Sequence, residues 1–105
     1  MNIRFEYLYR DAGNFKNWGE IVFSNPDHVG PEVVTEMARD LLADRAFFVA
    51  VTARVPDLHF TDHDAELDHG WHEMHAFAST DDEPNDHEHR NIGEFVESLR
   101  LASVS

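Results

Sequence analysis

Polar and apolar positions alternate from the start of the chain. Ile3, Phe5, Tyr7 and Tyr9 interleave with Asn2, Arg4, Glu6 and Leu8, the period-two pattern of a strand with one buried face. Asp11 to Asn14 (DAGN) is turn chemistry, because Gly13 and Asn14 tolerate left-handed backbone angles. Trp18 to Phe23 is rich in β-branched and aromatic residues and stops at Asn25–Pro26, so the two runs predict a hairpin with a long loop.

The period then changes. Pro31 stands at the first turn of a predicted helix, where its missing N–H costs nothing. Val33, Val34, Met37, Ala38, Leu41 and Leu42 follow at helical spacing, with Glu32, Glu36, Asp40 and Arg39 on the opposite face, and the pattern ends near Asp44. Phe47 to Val51 is a short continuous apolar run, expected as a strand covered on both faces. Pro56 interrupts, and Leu58 and Phe60 form a short edge piece at most. Alternation resumes from Trp71 to Phe77 and predicts another strand. Asp81 to Asp86 (DDEPND) reads as a polar surface loop. Ile92, Phe95, Val96 and Leu99 mark a C-terminal helix, weakened at Gly93 by about 1 kcal/mol relative to Ala.

The order β-β-α-β-β-α predicts an α+β fold: a small antiparallel or mixed sheet of about four strands with helices packed on one face. The 105 residues, with no internal repeat or linker, fit a single domain spanning 1–105. Trp18 and Trp71 are expected in the core or at its rim.

Charge changes the picture more than composition does. Residues 1–56 hold eight acids against six bases, net −2; residues 57–105 hold thirteen against two, net −11. Between Asp57 and Glu88 there are eleven carboxylates and no Lys or Arg. A concentrated field of this sign steers a basic partner and opposes direct nucleic-acid binding, which needs cations to displace counterions from phosphate. Cysteine is absent, so disulfides and thiolate zinc sites are excluded, and a cytoplasmic setting is expected. No apolar stretch approaches the roughly 18 residues of a membrane span, and no basic-then-apolar leader precedes the first strand.

The sharpest local pattern is Asp62, Asp64, Glu66 and Asp68, an acid at every second position. On extended backbone these carboxylates leave one face about 6.6–6.8 Å apart, close to the roughly 6–7 Å between consecutive phosphates of a nucleic-acid strand. Such a ladder fits a groove built for a phosphate backbone. The other explanation is a solvated loop that only maintains solubility. Glu73 and the further acids Asp81, Asp82, Glu83, Asp86 and Glu88 complete the expected partner-binding set.

Two metal readings compete for the same stretch. Counting Asp62 as the first position of a calcium loop places Asp64, Glu66, Asp68 and Glu73 at ligand steps, but Leu67 stands where the sharp turn needs glycine. His59, His63, His69, His72 and His75, with nearby Asp or Glu, offer ligands suited to zinc or a similar transition metal. On a strand His75 and His72 face opposite sides, so convergence needs a bend, and neither a metal nor another cofactor is part of the leading expectation. Catalytic signatures are missing: there is no nucleophile elbow, no phosphate-cradling glycine loop and no cysteine nucleophile. The expected protein is not an enzyme.

Phe5–Pro26 (FEYLYRDAGNFKNWGEIVFSNP) and Glu66–Met74 (ELDHGWHEM) are similar to a family of small prokaryotic proteins with no assigned activity, in which a strand–loop–strand opening precedes an ELDH-x-WHE segment. The similarity covers most of residues 3–78 and implies a fold, not a chemistry. By size, acidity and lack of cysteine the chain also resembles phage-borne inhibitors, anti-CRISPR proteins and DNA mimics among them. That resemblance implies an inhibitor whose carboxylates replace phosphates on a basic nucleic-acid-binding protein or CRISPR-Cas complex, with no residue role carried over. The alternatives are a His/Asp/Glu metal-binding module and a housekeeping domain with a merely solubilising acidic surface.

Overall fold

The computed structural model of the chain describes residues 1–60 and 70–104. The alternation at the start builds β1 (Asn2–Arg10), which pairs antiparallel with β2 (Lys16–Phe23) in a register running from Ile3 opposite Phe23 to Arg10 opposite Lys16. The turn between them closes as the DAGN chemistry requires. The Asn14 amide donates to the Asp11 carbonyl at 3.0 Å, Asn14 takes φ 66°, and the Asp11 side chain accepts from the Phe15 amide at 2.9 Å.

Pro31 begins α1 (Pro31–Leu41), as its locked φ predicts. Val34 and Ala38 are its buried residues, while Val33 and Met37 stay about half exposed, so the apolar stripe meeting the sheet is narrower than the sequence pattern implies. The helix stops three residues before Asp44; Asp44 and Arg45 then take left-handed φ of 49° and 62°.

The apolar run after α1 is not one buried strand. Only Phe47–Phe48 is extended (β3), and Ala50–Ala53 forms a single-turn helix, α2. Val51 is 77% exposed whereas Ala50 and Ala53 are buried, the i,i+3 signature of a helical turn. Among the described residues, Leu58 to Phe60 pairs with no strand. The late alternation becomes β4 (His72–Thr80), antiparallel to β1 on one side and to β3 on the other, giving the sheet order β2-β1-β4-β3. The register shifts between Glu6, opposite Ala76, and Tyr7, opposite Met74, so His75 is the extra residue of a β-bulge. The bulge rephases the strand and lets His72, Met74 and Phe77 all be buried.

The C-terminal helix α3 (Ile92–Ala102) starts at a capping box. Asn91 Oδ1 accepts from the Glu94 amide at 2.9 Å, and Glu94 Oε1 accepts from the Asn91 amide at 3.0 Å. Asn91→Ala is expected to cost about 1 kcal/mol, read as a lower urea midpoint at unchanged slope.

The α+β class is as expected, with helices against one face of a four-stranded antiparallel sheet. That face carries Ile3, Phe5, Tyr7, Ile21, Phe23, Met74 and Phe77 against Val34, Ala38, Phe95 and Leu99. Phe5 meets Tyr7, Phe48, Phe77 and Phe95 with ring centroids 4.9–5.8 Å apart. Trp18 departs from expectation. It lies on the opposite face of an edge strand, 53% exposed, rather than in the core. Among the described residues no helix is long and apolar enough to cross a membrane.

One corner of the core is ionic. Asp86 and Arg90 are each 6% exposed and form a two-point pair, with Nε to Oδ2 at 2.9 Å and Nη2 to Oδ1 at 3.0 Å. Arg90 also donates to the carbonyls of Ala53 (2.7 Å) and Arg54 (2.9 Å), and its guanidinium lies over the rings of Phe23 and Phe95. It thereby ties the end of α2 to the approach to α3.

Candidate metal centre

Pro56 sends the chain across the Tyr9 end of β1, and the next three residues are held by side chains of the sheet. The Tyr7 hydroxyl donates to the Pro56 carbonyl at 2.8 Å, and Asn17 Nδ2 donates to the Leu58 carbonyl at 3.0 Å. Asp57 and His59, two apart, are drawn together by an Asx-type contact. The Asp57 carboxylate accepts from the His59 amide at 2.8 Å, and His59 Nδ1 lies 2.8 Å from Oδ1.

The third member comes from β4. His72 is fully buried, and its Nε2 lies 3.5 Å from Asp57 Oδ1 and accepts the Leu58 amide at 2.9 Å. The His59 and His72 rings meet edge to face with centroids 5.1 Å apart. One ligand atom each from Asp57, His59 and His72 fall within 4.8 Å of one another. Aromatic rings wall the cluster: Tyr9 sits 4.4 Å from the His59 ring and 5.2 Å from the His72 ring, and Phe48 lies 6.0 Å from His72. Exposure grades outward from His72 through His59 to Asp57, whose side chain is 58% exposed. The group is therefore open on its carboxylate side.

Electrostatics follow the geometry. Burial pushes the Asp57 carboxyl up. The hydrogen bonds from the His59 amide and ring, with the electrostatic influence of the two neighbouring imidazoles, outweigh it and hold the group below the usual carboxylate range. Tyr7 is pushed well above its ordinary value, first by burial and then by the Asp57 charge. Asp86 is likewise raised by burial but lowered overall, by hydrogen bonds from the Arg90 side chain and amide, by its charge and by the Glu88 amide.

Because both aspartates have depressed folded values, their contribution is complete above the ordinary Asp pKa of about 3.9 and disappears as pH falls through the lower folded values. The urea midpoint is expected to drop on acidification below about pH 4. In Asp86→Asn, where that ionisation is gone, the drop should be shallower.

The sequence-derived residues fall in different places. Asp62, Asp64, Glu66 and Asp68, with His63 and His69, lie outside the described residues. Glu73 is on β4, paired with Arg10 at 2.9 Å, and Glu88 pairs with Arg54 at 2.6 Å. Asp86, expected on the surface, is withdrawn into the ion pair with Arg90. Asp81, Asp82 and Glu83 are exposed beyond Thr80. The length of β4, about 27 Å at 3.3–3.4 Å per residue, separates them from the His72 end. Of the histidines, His59 and His72 converge, and His75 leaves the bulge to meet Trp18 edge to face at 5.0 Å.

Asp57 is the member that the histidine pattern does not point to. Its signal was the D-x-H spacing directly after Pro56, at which an Asp side chain reaches the residue two positions on.

Chemically, two imidazoles and a carboxylate form a borderline-soft set suited to zinc and neighbouring first-row cations. With metal–ligand distances of about 2.0–2.2 Å, tetrahedral ligand atoms stand roughly 3.4 Å apart. The 2.8 and 3.5 Å separations around Asp57 Oδ1 bracket that value. Comparison with family models, with curated proteins and with solved structures finds no match, so the reading of the site rests on this chain's own residues.

Proposed function

We propose that the protein is a metal-binding module that holds a divalent transition-metal cation, zinc by the chemistry of its donors, through Asp57, His59 and His72. The observation that carries this is the arrival of a fully buried imidazole beside a second imidazole and a carboxylate, with ligand atoms within 4.8 Å of one another. Three protein donors with an open side leave a coordination position for water or a small ligand. The lone pair of His72 Nε2 is engaged by the Leu58 amide, so coordination through that atom requires the 57–58 backbone to give way. Binding is thus coupled to the segment that Tyr7 and Asn17 pin down. Calorimetric titration with zinc at pH 7.5 tests the reading: one site per chain is expected, absent in Asp57→Asn. Equal heats from both proteins would refute it.

A second reading, electrostatic docking on a basic nucleic-acid-handling protein such as a CRISPR-Cas complex, is favoured by the eleven carboxylates without a base between Asp57 and Glu88 and by the exposed Asp81, Asp82 and Glu83. It requires affinity that falls steeply with salt. It also requires competition with DNA that weakens when Asp81, Asp82 and Glu83 become Asn or Gln. Internal ion pairs at Glu73, Asp86 and Glu88 reduce the charge available to it.

A further inference from the structure

The outer edge of β2 supplies an observation independent of the metal centre. At Val22 that edge is closed by Asn85, whose side-chain oxygen accepts the Val22 amide at 2.8 Å and whose own amide donates to the Val22 carbonyl at 3.0 Å. Main-chain direction alternates along a strand, so Glu20, Trp18 and Lys16 also turn their amides and carbonyls outward. Among the described residues no hydrogen bond covers those three positions. Their side chains share one face with Trp18 53% exposed, and the Glu20 side chain is 64% exposed.

An uncovered edge is a template for another strand, and proteins blunt such edges with charge. Here the charges do something more specific. Lys16 and Glu20 lie two residues either side of Trp18, with opposite signs. An antiparallel neighbour of the same sequence, centred on Trp18, therefore sets Lys16 opposite Glu20 of the second copy twice over. A parallel in-register neighbour would set like charges together.

We propose that β2 pairs antiparallel with β2 of a second copy about a twofold axis at Trp18, joining two four-stranded sheets into one. The interface is isologous. Each of the three outward residues exchanges main-chain hydrogen bonds with its counterpart, two ion pairs flank the axis, and the two Trp18 rings cover each other. Asn85 limits the register, since it occupies the edge at Val22 and stops the partner strand there. Glu20 also lies 3.7 Å from Arg4, so the cross-axis pair competes with an internal one. Each chain carries −13, and added salt therefore favours association by screening the remaining repulsion.

Sedimentation equilibrium of the full chain across a concentration series, in low salt and in about 0.5 M salt, tests this. A monomer–dimer equilibrium that tightens with salt is expected. Lys16→Glu and Glu20→Lys should each raise the dimer dissociation constant about tenfold, because two attractive pairs become repulsive. The double exchange K16E/E20K should restore it, and that restoration separates strand pairing from a general effect of charge or stability. A monomer at every concentration in high salt would overturn the proposal. So would a dimer indifferent to the single reversals, or a double exchange no better than either one.

Discussion

Replacing Arg90 with methionine is expected to remove about 3–5 kcal/mol of stability, because it leaves Asp86 as a buried carboxylate with its main partner gone. The pair is two-pointed and almost without water, at 6% exposure for each residue. The same guanidinium satisfies the Ala53 and Arg54 carbonyls at the end of α2, so the loss spreads to that turn. Methionine keeps much of the packing on Phe23 and Phe95 that the stem provides, which isolates the ionic part of the effect. Arg90→Lys should recover little, since one ammonium cannot reproduce the planar fork. At this chain length each kcal/mol lowers Tm by about 4–8 °C, so urea unfolding at low temperature is the safer readout. A loss below about 1 kcal/mol would place the pair among ordinary surface ion pairs.

The second large effect is stabilisation by metal. A cation that binds only the folded chain adds RT ln(1 + [L]/Kd), about 2.7 kcal/mol at one hundred times Kd. Zinc is expected to raise Tm accordingly, and a chelator to reverse the shift. Both histidines must be deprotonated to coordinate, so the gain should shrink as pH falls. His59→Ala should abolish the gain while leaving the metal-free fold nearly intact, since His59 is partly exposed at the rim of the core. His75→Ala, on the far side of the sheet against Trp18, should leave it unchanged. Stabilisation that survives His59→Ala would move the site elsewhere.

What could be read from the sequence follows the range over which each feature is encoded. β1, the DAGN turn, β2 and α1 carry their own period or turn chemistry, and the structure places them within a few residues of expectation. The run from Phe47 to Val51 reads as a buried strand, yet five consecutive apolar residues carry no period that separates a strand from a helical turn. Packing decided it, with Ala50 and Ala53 inward and Val51 in solvent. Trp18 departs from the core because hydrophobicity does not say which face of an edge strand is covered.

Asp86 sits in a stretch whose composition reads as solvated loop. Its burial depends on Arg90 and, through it, on carbonyls at the end of α2 that lie 36 and 37 residues from Arg90 in sequence. The metal centre was half legible. His59 and His72 stood among the histidine candidates, but their meeting depends on where Pro56 turns the chain and on β4 presenting His72 to the core. The bulge at His75 rephases the strand so that Phe77 joins Met74 in the core, and no local pattern announces a bulge.

Asp57, His59 and His72 are expected to act together on one cation. Titrating the chain with cobalt(II), a spectroscopically visible substitute for zinc, answers this through the visible d–d bands of the bound metal. The account predicts bands of low-symmetry, nitrogen-containing coordination that saturate at one equivalent, are displaced by zinc, and vanish in both Asp57→Asn and His59→Ala. A spectrum that stays that of the hydrated ion, or bands that persist unchanged in both variants, would contradict it.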